Sequence, residues 1–393
     1  MDRRILQPEI QDFILRNESA DVGRLALSRN PFPEIEFPIL VGQISARAKA
    51  KEKLPSWYAH PFIYYAPQLS IEQCSSEKTA EYKASVVSGS KLIDLTGGFG
   101  VDAYFFSKQV GEMTYCEMNP ELAEISKHNF QILDRSNIEC FNCDSEIMLG
   151  QLNQKFDWIY VDPARRNDSK GKVFMLQDCL PNVPKNLNLY FRYSDNILVK
   201  SAPLLDITAG LNELKFVKSI HIVAVRNEVK ELLWEISKGY QGDVQIKTIN
   251  FGLKSIDRFD FLHLEAKPAT YALPKKILYE PNAAIMKSGG FENISAVFDI
   301  EKIHPNSHLY TSDGVVNFPG RVFSIEKVIP YTKTGIRDLS KIGKANVSVR
   351  NFSESVESLR RKHKISDGGD VYCFFTTDIN EDKIVLICRK IEL

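Results

Sequence analysis

The sequence lacks any long run of apolar residues, although 44% of its 393 residues are apolar. No stretch approaches the ~20 consecutive apolar residues that a helix needs to cross a bilayer. The first segment, MDRRILQPEIQDFILRNESADVGRL, is charged throughout, which is not typical of a secretory signal peptide. We therefore expect a cytoplasmic protein with no membrane partner.

Cysteine is also scarce, with seven residues scattered along the chain. An odd, dispersed set is typical of a reducing compartment rather than of a disulfide framework. Cys140 and Cys143 have the spacing of a metal or redox motif, but no second pair accompanies them, and a structural zinc site needs four ligands. The seven histidines form no cluster either. We therefore predict no metal.

The chain has no excess of charge of either sign, since 50 basic residues balance 50 acidic ones. A protein that coats nucleic acid by charge alone is thereby disfavoured, whereas a local basic patch remains compatible with the composition. A length of 393 residues predicts two or three domains.

The hydrophobic pattern changes twice along the chain. Residues 1–60 have apolar residues at helical spacing and predict a small helical region. From about residue 88 to 265, short apolar runs alternate with longer amphipathic stretches, which predicts an α/β domain with a mostly parallel sheet. VQIKTINF and RFDFLHLEA lie too close together for a crossover helix, so we expect an antiparallel hairpin. VRNEVKELLWEI predicts an amphipathic helix capped by Asn227.

The composition shifts around EAKPATYALPKK, which predicts a linker. Beyond it, four strand-like segments accompany one helix-like segment, SESVESLRRKHKI, which begins with a serine and has a glutamate in its first turn. The mixture predicts a small α+β module at the C-terminal end.

The stretch LIDLTGGFGVDAYFF joins an apolar strand to a helix through glycines. A phosphate loop requires Lys and then Ser or Thr after its last glycine, and here Val101 and Asp102 follow Gly100. A dinucleotide fingerprint would need a third glycine where Ala103 stands, so its match is partial.

DLTGGFG resembles the first motif of class I S-adenosylmethionine (AdoMet) methyltransferases. Asp94, Gly98 and Gly100 occupy the fixed positions of that motif. The resemblance implies a Rossmann-like methyltransferase sheet with AdoMet as cofactor, and it implies that Thr96 and Gly97 also contact AdoMet. The ligand is cationic and carries no phosphate, and glycine lets the backbone approach it closely.

The next strand-like segment ends at Glu117, where an acidic side chain can bind both hydroxyls of a ribose. By the same resemblance Met118 lies in the cofactor site. Asn119 and Pro120 predict the start of a helix. In class I methyltransferases an acidic residue after the third strand faces the adenine amino group, which assigns Asp144 and Ser145 to that role. Asp144 is equally suited to cap the following helix, and the two roles are compatible.

FDWIYVDPARRN resembles the fourth motif of methyltransferases that act on exocyclic amino groups, D/N-P-P-Y/F/W. Asp162 and Pro163 match it, whereas Ala164 replaces the second proline and Arg165 the aromatic residue. The resemblance places Asp162, Pro163 and Arg165 at the catalytic site. A guanidinium plane can stack on a base or bind a phosphate. Lys200, at the end of a later strand, is expected to be solvated.

The segment SSEKTAEY resembles the one that precedes the first motif in trimethylguanosine-synthase-like methyltransferases, where a helix closes over the cofactor. This resemblance makes Gln73 and Ser76 secondary candidates for the AdoMet site. A helix cap alone would also explain the serine and the glutamate.

The C-terminal region resembles the tail of a methyltransferase-related family that carries a ferredoxin-like segment and a THUMP-like domain. The resemblance divides the chain into a helical region (1–60), a methyltransferase domain (61–268), a ferredoxin-like segment (269–320) and a THUMP-like domain (321–393). It implies structured RNA as partner, and the basic run SLRRKHK is compatible with phosphate contacts. The leading hypothesis is an AdoMet-dependent RNA methyltransferase, with an exocyclic base amine as one candidate acceptor. An inert RNA-binding protein with the same fold and a nicotinamide dehydrogenase are the alternatives. The oligomeric state stays open.

Overall fold

A computed structural model describes residues 1–165, 175–265 and 267–392. These residues form two compact units, one of residues 1–218 and 231–241 (unit 1) and one of residues 219–230 and 242–393 (unit 2). Among the described residues, no helix combines the length and the apolar character that crossing a membrane requires. Arg166, in the DPARR motif, lies outside the described residues.

The regular elements are numbered here in chain order. The helices are α1 Pro8–Arg16, α2 Val22–Ala26, α3 Phe37–Lys53, α4 Pro55–Ala59, α5 Gln68–Gln73, α6 Glu77–Val86, α7 Val101–Phe106, α8 Pro120–Ile132, α9 Ser145–Leu152, α10 Val183–Tyr190, α11 Ile207–Glu213, α12 Ala283–Ser288, α13 Phe291–Phe298 and α14 Val356–His363. The strands are β1 Lys91–Asp94, β2 Glu112–Glu117, β3 Ile138–Asn142, β4 Trp158–Val161, β5 Ala164–Arg165, β6 Cys179–Leu180, β7 Asn196–Ser201, β8 Val217–Val225, β9 Glu228–Ser237, β10 Gln245–Phe251, β11 Ile256–Leu262, β12 Ile277–Pro281, β13 Glu301–Lys302, β14 Tyr310–Ser312, β15 Gly320–Pro330, β16 Lys344–Val349, β17 Ser366–Thr377 and β18 Lys383–Ile391.

Unit 1 contains strands in the order β9-β7-β4-β1-β2-β3. The strands from β7 to β3 pair in parallel, and β9 pairs with β7 in the antiparallel sense. The apolar side chains of β1 and β4 are buried, as expected for strands covered by helices on both faces. The predicted α/β class with a Rossmann-like sheet is confirmed, and all the parallel strands end at the same edge.

The N-terminal region is helical, as predicted. Helix α3 has a proline in its first turn and ends two residues before Pro55, which begins α4. Its buried face includes Leu40, Ile44 and Ala50.

The prediction of a helix for VRNEVKELLWEI is wrong, because this segment forms β9. Arg226 and Asn227 have φ values of 52° and 63°, so the chain turns there, and Asn227 does not cap a helix. Residues on both faces of the strand are buried, including Leu232, Leu233 and Trp234. An amphipathic helix would expose one face to solvent, whereas here both faces of the segment are buried. Pairing with β7 satisfies the hydrogen bonds of its backbone.

Unit 2 holds the predicted hairpin, in which β10 and β11 pair antiparallel from Gln245↔Leu262 to Phe251↔Ile256. β8 pairs in parallel with β10 on the other side. A seven-stranded sheet in the order β13-β14-β12-β15-β18-β17-β16 follows. The predicted helix forms as α14 but is capped two residues later than the first serine of SESVESLRRKHKI, because the Ser355 side chain accepts a hydrogen bond from Ser358 N and Glu357 lies in the first turn.

Candidate active site at the carboxyl edge of the unit 1 sheet

The glycine turn between β1 and α7 lies against β2. Gly98 has a φ of +54°, which L side chains rarely adopt. A Cβ at Gly97 would lie only 2.2 Å from Cε2 of Tyr115. The Tyr115 hydroxyl donates to Gly98 O at 2.6 Å. Gly98 N in turn donates to Glu117 Oε2 at 2.7 Å. The turn is therefore preformed, and glycine is required for two different reasons at two successive positions.

Glu117 ends β2 and fixes two loops at once. Its Oε2 binds Gly98 N, and its Oε1 accepts from Asn119 N at 2.7 Å. Each carboxylate oxygen retains a second lone pair that can accept a hydrogen bond from a ligand hydroxyl. Met118, the next residue, is an apolar side chain that is 69% exposed. Glu117 can thus accept hydrogen bonds from the two hydroxyls of a diol, and Met118 provides an apolar surface next to it for a planar ring.

Asp94 and Asp162 are joined through Thr96. Asp94 Oδ1 accepts from Thr96 N at 2.9 Å and from Thr96 Oγ1 at 3.3 Å. Asp162 N donates to Thr96 Oγ1 at 2.7 Å. Asp94 is only 1% exposed, and no described residue hydrogen-bonds to its Oδ2. Burial, and then the charges of Asp102 and Asp162, raise the pKa of Asp94 well above its usual range.

Asp162 follows β4 and is bound by a lysine. Lys200 Nζ donates to Asp162 Oδ2 at 2.6 Å, and the two side chains are 15% and 34% exposed. The expectation that Lys200 is solvated is therefore wrong. The reason is the register of β4 against β7, which pairs Val161 with Val199 and so places the next residues side by side. Burial alone lowers the pKa of Lys200, but the carboxylates of Asp162, Glu231 and Asp102 outweigh it and raise that pKa.

Arg165 lies in the short strand β5, three residues after Asp162. It pairs with Cys179 of β6, and Ala164 pairs with Leu180. Pro163 connects Asp162 to this ladder. The three predicted catalytic residues therefore occupy one short segment at the carboxyl edge of the sheet.

Close to Asp162 and Lys200 lies a buried charge network that no sequence motif indicates. Lys83 is fully buried, and its Nζ donates to both carboxylate oxygens of Glu231 at 2.8 Å. The same ammonium group lies 3.0 Å from Ser75 Oγ and 3.3 Å from Asp102 Oδ1. Asp102 Oδ2 accepts from Ser75 Oγ at 3.0 Å and from the Tyr160 hydroxyl at 2.8 Å. Lys83 and Glu231 are 148 residues apart, and no local sequence pattern indicates that they are in contact.

Asp144 and Ser145 lie at the start of α9. Asp144 caps this helix by accepting from Glu146 N at 2.9 Å and from Ile147 N at 3.3 Å. The segment just before Asp144 is tied to β2, because Asn142 Nδ2 donates to Glu117 O at 2.8 Å. The capping role of Asp144 is thus visible, and its position next to β2 stays compatible with a cofactor role.

Gln73 and Ser76 are less closely connected to the glycine turn. Ser76 caps α6, and its hydroxyl accepts from Thr79 N at 3.3 Å. Gln73 is exposed at the end of α5. Within the described part of the chain, neither side chain hydrogen-bonds to the glycine turn. Their neighbour Ser75 instead connects this segment to Asp102.

All seven cysteines are free. Within the described ranges, no group of three or more His, Cys, Asp or Glu side chains is arranged to hold a metal ion.

Several basic side chains of unit 2 are already bound to carboxylates. Arg321 Nε and Arg350 Nη2 donate to the buried carboxylate of Glu280 at 2.7 and 2.8 Å. In α14, Arg360 pairs with Asp367 and Lys362 with Glu354. The basic run SLRRKHK therefore presents less free positive charge than its composition indicates.

Comparison with known proteins identifies the family of the chain. A solved structure from Porphyromonas gingivalis W83, of a protein assigned as a methyltransferase, matches with a TM-score of 0.88 and 31% identity. The match covers 100% of this chain and 99% of that one. The chain belongs to the family of this Porphyromonas protein. Family membership confirms the resemblance to methyltransferases with a composite C-terminal region.

Three further matches concern parts of the chain. Residues 278–319 match a ferredoxin-like domain, and residues 320–390 match a domain described as THUMP domain-like. A tRNA (guanine(26)-N(2))-dimethyltransferase of Methanosphaera stadtmanae is 29% identical over 105 residues, which are 26% of this chain. The chain spans only 27% of the length of that curated relative.

Proposed function

We propose that the protein is an AdoMet-dependent methyltransferase that acts on RNA. The observation that carries this proposal is the preformed glycine turn, held by the Glu117 carboxylate at Gly98 N. No lysine or arginine lies between Thr96 and Asp102. Carboxylates surround the turn, which suits a cationic ligand and disfavours the phosphates of a dinucleotide.

The residues at the turn fit AdoMet. Glu117 can bind the two ribose hydroxyls, and Met118 can contact the adenine ring. The open space at Gly98 admits a ligand close to the backbone, since nothing lies nearer than 3.9 Å to a Cβ built there. Thr96, Gly97 and Gly100 shape the turn, and Asp144 with Ser145 would face the adenine amino group.

When bound, AdoMet supplies a methyl group on a sulfonium, which leaves as a neutral thioether. The chain must then present an acceptor and hold it in line with that methyl group. Asp162 is suited to accept a hydrogen bond from a substrate amine. Pro163 sets the direction of the segment, and Arg165 can stack on a base or bind a phosphate.

RNA as the substrate class is supported from two directions. The domain at 320–390 is THUMP-like, and a partial relative methylates the N2 amino group of a tRNA guanine, as its name states. Asp162 follows a strand in a sequence that resembles the motif of amine methyltransferases. An exocyclic amine of an RNA base is therefore the substrate group that we propose.

Cofactor binding is the first test. Isothermal titration and thermal shift should detect AdoMet and S-adenosylhomocysteine but not NAD, because a ligand that binds only the native state raises the melting temperature. Glu117→Gln should weaken AdoMet binding, since it removes a charge from the ribose site. Glu139→Gln, on the exposed surface of neighbouring β3, is the matched control. Binding of NAD in place of AdoMet would favour a dehydrogenase and refute the proposal.

Transfer is the second test. The protein is incubated with methyl-labelled AdoMet and unfractionated tRNA, ribosomal RNA, DNA or protein, and label is counted in each fraction. We expect label in RNA, and nuclease digestion should place it on a base amine. AdoMet binding without transfer to any fraction would instead favour the inert RNA-binding alternative.

A further inference from the structure

The Asp162–Lys200 pair has a defined geometry at the carboxyl edge of the sheet. The lysine binds one carboxylate oxygen, Oδ2, at 2.6 Å. The backbone N of Asp162 is held at the same time by Thr96 Oγ1 at 2.7 Å. The residue is thus fixed at both its main chain and its side chain. No described residue donates a hydrogen bond to the other oxygen, Oδ1, and the side chain is 34% exposed.

The buried network explains why Lys200 binds Asp162 rather than a neighbouring carboxylate. Both oxygens of Glu231 are occupied by Lys83. Asp102 Oδ2 accepts from Ser75 and Tyr160, and its Oδ1 lies 3.3 Å from the Lys83 ammonium. Lys83 therefore already compensates the charge of both neighbouring carboxylates, and Asp162 is the carboxylate to which Lys200 hydrogen-bonds.

We propose that Lys200 is a positioning residue, whose ammonium group holds Asp162 Oδ2 so that Oδ1 faces the substrate and accepts a hydrogen bond from its amino group. This inference rests on the proposed function and deepens it. An oxygen with only lone pairs to offer selects a substrate group that carries an N–H, and it repels a carbonyl or phosphate oxygen. Of the exocyclic amino and carbonyl groups of an RNA base, the site therefore selects the amino group, even though the aromatic residue of the usual motif is replaced by Arg165.

The ion pair itself is tested without any turnover. The whole protein is labelled with ¹³C at the lysine ε carbon, and the signal that disappears in Lys200→Arg is that of Lys200. In the wild type this signal should keep the chemical shift of a charged amine to high pH. In Asp162→Asn, burial is opposed by fewer carboxylates, so the pKa of Lys200 should fall and its titration should move to lower pH. An identical titration in both proteins would show that the pair does not form and would overturn the inference.

The positioning role is tested by transfer to unfractionated tRNA. Lys200→Met should lower kcat by about 10²-fold, the size of effect expected when a reacting group is misplaced by roughly 1 Å. The affinity for AdoMet should change much less than kcat, because Lys200 hydrogen-bonds to Asp162 and, among the described residues, not to the glycine turn. Lys200→Arg, which keeps the charge and its donors, should restore most of the rate. Lys218→Met is the matched control, because it removes a lysine that pairs with Glu235 but is 51% exposed.

The outcomes separate the two proposals. A wild-type protein that binds no AdoMet, or that transfers no label, refutes the proposed function and with it the role of Lys200. Transfer by the wild type together with an undiminished kcat in Lys200→Met refutes the Lys200 role alone. Loss of rate in Lys200→Met without recovery in Lys200→Arg would show a packing role rather than a positioning one.

Discussion

The Lys83–Glu231 pair allows a quantitative prediction about the stability of unit 1. The two side chains are 0% and 2% exposed, and their oxygens and nitrogen are 2.8 Å apart. Removing one partner of a buried pair leaves an uncompensated charge, which costs about 3–5 kcal/mol. The substitution Lys83→Met keeps the length of the side chain but removes its charge, and it also removes the ammonium group that lies beside Asp102 and Ser75. We therefore expect a loss in this range.

The assay is favourable because all three tryptophans of the chain, Trp57, Trp158 and Trp234, lie in unit 1. Thermal unfolding followed by tryptophan fluorescence therefore reports on this unit. A loss of about 3–5 kcal/mol should lower its melting temperature by roughly 6–20 °C for a domain of this size.

Two control variants separate charge from packing. Glu231→Gln also breaks the pair and should destabilise unit 1, since the buried Lys83 then keeps only the longer contact with Asp102 as an ion pair. The double variant Lys83→Met/Glu231→Leu should recover most of the loss, because an apolar replacement of a buried pair is often neutral or stabilising. A Lys83→Met protein that melts within about 2 °C of the wild type would refute the reasoning, since it would show that the pair contributes almost nothing.

Three other predictions follow from single contacts. Gly97→Ala should destabilise unit 1 and weaken AdoMet binding in calorimetry, because its Cβ would lie 2.2 Å from the Tyr115 ring; Gly42→Ala, in open space within α3, should stabilise it by about 0.5–1 kcal/mol. The pKa of Asp94 is raised by burial, so its ionisation opposes folding. The wild type should therefore lose stability relative to Asp94→Asn as the pH rises above about 4. A difference in melting temperature between the two proteins that does not change with pH would contradict this. Glu280→Gln should weaken the hold on two arginines and cost unit 2 about 1.5–3 kcal/mol, detected as faster amide hydrogen exchange in β12.

Features encoded in a few neighbouring residues could be predicted from the sequence. The glycine turn, the acidic end of β2 and the caps Asn119 and Ser355 all follow from backbone geometry or from local hydrogen bonding. The cap at Asp144 belongs to the same class, and the structure bears it out. The cofactor roles assigned to these positions stay predictions.

Features that depend on distant partners could not be predicted. In β9, Glu231 and Glu235 have the spacing of a solvated helix face, yet both are buried because Lys83 and Lys218 neutralise them. Lys200 was expected to be solvated because nothing local indicates that its strand lies beside that of Asp162. No local sequence pattern indicates the order of the strands in the sheet, and that order determines which charged side chains form ion pairs.

The Thr96 hydroxyl has a consequence for how the protein can change. It hydrogen-bonds to the carboxyl group of Asp94 and to the main chain of Asp162, so a single hydroxyl group connects the loop after β1 to the loop after β4. A substitution selected to accommodate a new acceptor near Asp162 would also shift the loop after β1. Sequence changes that alter substrate specificity in this family should therefore occur away from Thr96 and Asp162, where they do not weaken binding of the methyl donor.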